Sequence, residues 1–230
     1  MENLRPKNVD TLNIEIWSDI ACPWCWIGKR GLEAALQSFD SPVTVRWNAF
    51  ELNPHAPREV PERVDYAKRM AGKYGVERDA AQEMIDRMVA AGRERGLELR
   101  FDRIRPANTF DAHRLLAWAR DADPQAGLQE ALFSAYLREG RLVSDPAVLI
   151  DLAEQAGLDG AGAQSLLSGD AYASAVRNDE KRAMQIGVTG VPCFVFPQAQ
   201  LTVSGAQPAE VLLEAMHKAR SLKAHSPKGP

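Results

Sequence analysis

From Leu12 to Trp17 apolar and polar residues alternate, with Leu12, Ile14 and Ile16 set against Asn13 and Glu15. A period of two with β-branched members predicts a strand that buries one face. Past Cys25 the period changes to that of a helix, carried by Ile27, Leu32, Ala35 and Leu36. Pro23 suits the first turn of that helix, where its missing N–H is no loss. Pro42 restarts the chain, and Val43, Val45, Trp47 and Ala49 alternate with Thr44, Arg46 and Asn48 as a second strand. The chain therefore opens as β-α-β.

The pattern then changes character. From about Arg58 to Ser168 the sequence is rich in Ala, Arg, Glu, Leu and Met, with helical spacing in Met84, Met88 and Ala91 and again in Leu115, Leu116 and Trp118. Breaks between these helices are expected at Gly72 and Gly75, from Gly96 to Arg105, from Asp121 to Pro124, from Gly140 to Pro146 and from Gly157 to Gly162. A further helix is predicted from Asp170 to Gly187, then strands at Cys193–Phe196 and Gln200–Ser204, then a last helix from Pro208 to about Arg220. Residues 1–11 and 221–230 read as flexible termini. Two halves of one α/β sheet, 12–57 and 170–220, separated by a helical insertion over 58–169, is the simplest arrangement that buries both sets of strands.

Composition narrows the partners. With 230 residues, 45% of them hydrophobic, the chain can bury a large core without disulfides. A formal net charge of -3 gives no global field for nucleic acid or an anionic membrane, and neither is expected as a partner. The polar start of the chain has no basic-then-apolar leader, and no apolar run is long enough to span a bilayer, so the reading is cytoplasmic. Three cysteines, two of them at Cys22 and Cys25, do not make a disulfide framework and point to chemistry or a metal at the close pair.

In Cys22-Pro23-Trp24-Cys25 the first cysteine falls at the helix N-terminus. Unpaired N–H groups and the macrodipole there favour a negative sulfur, typically by about 0.3–1 kcal/mol. The thiolate is the attacking form in disulfide exchange, which makes Cys22 the candidate nucleophile. Cys25, three residues on and on the same face, is the candidate resolving thiol. A half zinc site and inert packing stay open beside this reading. A zinc site would need further ligands, whereas His55, His113, His217 and His225 are scattered, and no metal site is assigned. Asp19 could accept a proton from Cys25 or cap the helix, with capping slightly favoured. Trp24 and Trp26 are candidates to shape the site. Val191-Pro192 reads by itself as a strand-entry turn. Cys193 reads as a small buried hydrophobe, His113 as a helical histidine, and Met70, Met84 and Met88 as helix core.

Several segments together resemble a known family: Ser18-Asp19-Ile20-Ala21-Cys22-Pro23-Trp24-Cys25, Phe50-Glu51-Leu52-Asn53-Pro54, Asn108-Thr109 with His113, Gly190-Val191-Pro192, and Ser204-Gly205-Ala206. In that order they are similar to the DsbA family, in its FrnE-like branch. The resemblance implies an α/β, thioredoxin-like fold with a large inserted α-helical domain. It also implies a redox-active dithiol, and a cis-proline loop at Pro192 whose preceding residue, Val191, pairs with an extended substrate by strand addition. It raises the prospect that the segment around His113 faces a cleft. The implied activity is thiol-disulfide exchange or isomerisation on a disulfide-containing protein or small-thiol substrate, with no obligatory cofactor. In a reducing cytosol the dithiol would rest reduced, which favours reduction or isomerisation over net oxidation.

The same resemblance extends to 2-hydroxychromene-2-carboxylate isomerases and kappa-class glutathione transferases, where a serine replaces the first cysteine. It implies a glutathione-dependent alternative, with glutathione as possible co-substrate held by Asn53, the Val191 backbone and the Gly205-Ala206 turn. A third alternative is a non-enzymatic metal-binding or chaperone-like module using the cysteines as ligands. Apolar surface on the insertion could support a homodimer.

Overall fold

The computed structural model describes residues 11–62, 64–121 and 125–225. Of the flexible termini expected at 1–11 and 221–230, residues 1–10 and 226–230 lie outside the described residues, as does all but Asp121 of the break expected at 121–124, while residues 221–225 are helical.

Four strands form one mixed sheet in the order β2-β1-β3-β4. They are β1 (Leu12–Ser18), β2 (Val43–Ala49), β3 (Cys193–Phe196) and β4 (Leu201–Ser204). Helix α1 (Pro23–Gln37) makes the crossover from β1 to its parallel neighbour β2. On its other side β1 pairs antiparallel with β3, Trp17 facing Cys193, so the sheet joins the two ends of the chain. The alternation in β1 is real over Leu12–Ile16, where Leu12, Ile14 and Ile16 are buried and Asn13 is exposed. These apolar side chains pack with Leu32 of α1, Phe194 and Phe196, and with Leu212 and Met216 of the last helix. Each such burial contributes about 1.5–3 kcal/mol.

At Trp17 and Ser18 the alternation stops, and both residues are buried. The cause is α8 (Ala173–Gln185), which covers the second face of the sheet. Trp17 packs there on Ala183, Val188 and Cys193, and its indole N–H donates to the Asp179 carbonyl at 2.9 Å.

Between the two halves run α2 (Tyr66–Tyr74), α3 (Arg78–Glu94), α4 (Phe110–Asp121), α5 (Gln125–Ser134), α6 (Pro146–Gln155) and α7 (Gly160–Ser168). Helix α5 continues into a wide π-type turn over Ala135–Glu139. Asp65, Asp145 and Asp159 accept the N–H groups of Lys68, Ala147 and Gly162 and so set where α2, α6 and α7 begin. Gly75 and Gly140, at φ +65 and +73, end their helices in the left-handed region. Gly72, Gly160 and Gly162, expected among the breaks, lie inside α2 and α7. A solvent-exposed glycine costs a helix roughly 1 kcal/mol relative to alanine, which capping and packing outweigh.

The largest apolar core joins the insertion to the start of α1: Ile20, Cys22, Cys25, Trp26 and Ile27 share it with residues of α2 to α7. Helix α9 (Ala209–His225) continues past its expected end near Arg220. Among the described residues no helix is long and apolar enough to cross a membrane.

Candidate active site

Strand β1 ends at Ser18, and a tight turn delivers Cys22 to the helix: the Cys22 N–H donates to the Asp19 carbonyl at 3.0 Å. Cys22 is the N-cap residue, in extended conformation, and Pro23 opens the helix. The Cys25 N–H donates to the Cys22 carbonyl at 3.0 Å, closing the first turn. Both cysteines are free thiols. Cys22 is 4% exposed and its Sγ faces the Val191 carbonyl oxygen at 3.6 Å, a thiol-to-carbonyl contact that joins the two ends of the chain. Cys25 is fully buried. Burial pushes its thiol well above the ordinary value, and the adjoining Cys22 adds to this against the opposing Ser18 hydroxyl and Asp19 backbone. Trp24 is the exposed member of the motif.

The Val191–Pro192 peptide is cis. Pro192 lies on α1 at Gly28, where an added Cβ would stand 2.9 Å from Pro192 Cγ and 3.5 Å from Ala206 Cα. The Pro192 carbonyl accepts the Gly205 N–H at 2.8 Å. Gly28, which sequence reasoning passed over, is what lets this loop approach the dithiol helix; a glycine on an apolar helix face was its only signal. Cys193 is 1% exposed among Trp17, Ala183 and Val188, its thiol pushed up by burial.

Asp19 does not cap α1, contrary to the favoured expectation. Its Oδ1 accepts the Ala21 N–H at 3.2 Å and its Oδ2 the Leu52 N–H at 2.7 Å. His113 Nε2 of α4 lies 3.4 Å from Oδ1. The carboxylate is thereby committed to the 50–54 loop and the insertion, and Cys22 occupies the cap position itself. Both Asp19 and His113 are buried. Beside them Glu51 pairs with Arg177 at 2.6 Å, and burial holds its carboxyl above the ordinary value despite that partner.

A cleft of about 460 Å³ opens next to the motif. Asp19, Ala21, Leu52 and Asn53 form one wall, and Tyr66, Arg69, Met70 and Lys73 of α2 form the other. Tyr136 and Pro106 are also in the lining. Burial pushes the Tyr66 phenol up to about 12 and that of Tyr136 well above its ordinary value. Of the residues expected to hold a small thiol, Asn53 reaches this cleft; Gly205 and Ala206 lie against Pro192 and Gly28 and are not part of its lining. His113 lines a separate small cavity with Ser18, Asn48 and Gln129. Met70 and Met88 are both core, as expected, and Met70 also lines the cleft. Arg69 and Lys73 were not anticipated; the signal for them was a short helix with cations and no acid. Among the described residues no group of three or more His, Cys, Asp or Glu could hold a metal ion.

A Cys-x-x-Cys helix that starts beside a cis-proline loop, on a four-stranded mixed sheet, defines a thioredoxin-like protein of the DsbA type. The chain belongs to the DSBA-like thioredoxin domain family, which it matches over residues 13–217. It is 27% identical over 208 residues to the uncharacterized protein YwbO of Bacillus subtilis (strain 168), covering 90% of this chain and 96% of that one. Its structure is similar to that of the probable DsbA oxidoreductase SCO1869 from Streptomyces coelicolor, with TM-score 0.87 and 38% identity over 95% of this chain and 93% of that one. The fold is also shared with the cytosolic disulfide reductase DsbM from Pseudomonas aeruginosa, solved with GSH, at TM-score 0.59 and 16% identity over 93% and 96% of the two chains.

Proposed function

We propose that the protein is a cytoplasmic thiol-disulfide oxidoreductase that reduces or isomerises disulfides through Cys22 and Cys25. The observation that carries this reading is the asymmetry of the pair: Cys22 at the helix start against the Val191 carbonyl, Cys25 sealed behind it. Cys22, as thiolate, attacks a substrate disulfide; a Cys22–substrate S–S bond forms, the substrate's own S–S bond breaks, and the departing sulfur takes a proton from solvent. Cys25 then loses its proton and attacks Cys22. The Cys22–Cys25 bond forms and the substrate leaves as a thiol, two electrons having passed to it. Two equivalents of a low-molecular-weight thiol then reduce the Cys22–Cys25 bond in two exchanges and leave as their own disulfide.

The Val191 backbone offers an edge for an extended substrate on the side of the attacking sulfur. The neutral form of Cys25, favoured by burial, suits a thiol that must wait for the mixed disulfide. Glutathione is a candidate co-substrate, supported by the position of Asn53 on the cleft and by the glutathione bound to the structurally similar DsbM.

Incubation with a disulfide-bonded peptide tests the reading. Cys22→Ser is expected to abolish exchange, and Cys25→Ser to accumulate a mixed disulfide through Cys22, detected by mass spectrometry. Wild-type protein that leaves the peptide unchanged, with no adduct on Cys25→Ser, would overturn it.

A further inference from the structure

Building on the exchange reading, we propose that the cleft beside Cys22 selects disulfides that carry carboxylates, held by Arg69 and Lys73 of α2. Within Tyr66–Tyr74 stand Lys68, Arg69 and Lys73 and no acidic residue, in a chain whose net charge is -3. Arg69 and Lys73 are four residues apart and so share a helix face, and that face lines the cleft. Both are exposed. Several arginines elsewhere are paired with carboxylates: Arg30 with Glu130, Arg114 with Asp111, Arg120 with Asp179 and Arg177 with Glu51. Among the described residues Arg69 and Lys73 have no such partner. The carboxylate in the cleft wall, Asp19, is buried and occupied by two backbone N–H groups, and Asp65 at the head of α2 is engaged by Lys68 N–H and Arg78.

The cleft therefore presents two cations without an acidic partner, beside Met70, Tyr66 and Tyr136 in the same lining. Both phenols are neutral near pH 7 and so add no repulsion toward an anion. Ala21, the residue before Cys22, is part of the same wall. A carboxylate seated on α2 would thus belong to a chain whose sulfur can arrive at Cys22. A methionine in the lining adapts to the aliphatic part of such a ligand. The shared chemistry is a carboxylate a few bonds from a disulfide, which a small peptide thiol and an acidic polypeptide segment both supply.

The test measures second-order rates at which disulfides consume the thiols of the reduced protein, each divided by the rate with dithiothreitol to remove intrinsic reactivity. One arm compares the disulfide dimer of Ac-Glu-Cys-Glu-amide with that of Ac-Gln-Cys-Gln-amide. The other compares glutathione disulfide with its carboxyl-esterified form. At low ionic strength the carboxylate member is expected to be faster by roughly three- to tenfold, the range for a pair of exposed ionic contacts. Arg69→Gln/Lys73→Gln is expected to bring that ratio close to one, and Lys181→Gln, an exposed cation outside the cleft, to preserve it. A preference confined to glutathione disulfide assigns the cleft to a small thiol, and one confined to the peptide assigns it to a polypeptide. A wild-type ratio near one in both arms, or a ratio that survives in the natively folded double variant, overturns the inference while leaving the exchange reading intact. Failure of wild-type protein to react with any of the four disulfides removes both.

Discussion

The two thiols of the motif are three residues apart and live in different surroundings. Both belong to the core that α1 shares with the insertion, but Cys22 is the N-cap residue and 4% exposed, whereas Cys25, one turn in, is fully buried. Iodoacetamide at pH 8 is therefore expected to label Cys22 in the native reduced protein and to reach Cys25 only after denaturation, as peptide mapping would report. Linkage gives a second readout. Burial holds the folded-state Cys25 thiol well above its ordinary value, so folding favours its neutral form. That stabilisation is complete below the unfolded value and is lost as pH rises through the folded one. Thermal unfolding followed between pH 7 and 10 should show the reduced wild type losing stability above pH 9 more steeply than Cys25→Ser. Tyr66 and Tyr136, shifted in the same direction, contribute equally to both proteins. Equal slopes would mean that Cys25 is not sealed.

At the scale of elements, glycines in two helices have opposite consequences. Gly28 faces Pro192, and a methyl group there would meet Pro192 Cγ at 2.9 Å and Phe194 Cζ at 3.4 Å. Gly28→Ala is expected to destabilise by about 1–3 kcal/mol through overpacking, and to slow exchange by pushing the Pro192 loop from the dithiol helix. Gly72, inside α2, meets nothing within 4 Å, so Gly72→Ala is expected to stabilise by about 0.5–1 kcal/mol. Urea unfolding of the two variants checks both signs. The same contrast explains what was legible beforehand. The strands, α1 and the motif at their junction are local patterns, readable from the period of Leu12–Trp17 and the position of Pro23. Asp19 was misread because its partners, Leu52 N–H and His113, are 33 and 94 residues away. Gly28 was missed because its neighbour Pro192 arrives from the far end of the chain. The cationic wall of the cleft could be suspected from the composition of α2, but its orientation toward Cys22 depends on how the insertion packs.

For the whole molecule the question is whether insertion and sheet can separate. Asp179 of α8, 2% exposed, accepts the Ala49 N–H at 3.2 Å from β2 and pairs with Arg120 of α4 at 2.7 Å. Its own carbonyl receives the Trp17 indole N–H from β1. One residue thus ties two strands and a helix of the second half to a helix of the insertion. Asp179→Ala removes the carboxylate and leaves Arg120, whose side chain is 15% exposed, without its partner. Breaking a buried pair from one side costs about 3–5 kcal/mol, a large part of the stability of an ordinary domain. The loss should not divide the molecule, because Cys25, Trp26 and Ile27 of α1 sit in one core with Leu115, Leu128 and Leu132 of the insertion. The expected result is a lower urea midpoint with a single transition, coincident by far-ultraviolet circular dichroism and by tryptophan fluorescence. Two separated transitions in the variant would show that the helical insertion holds its own core, and that the dithiol helix depends on the sheet alone.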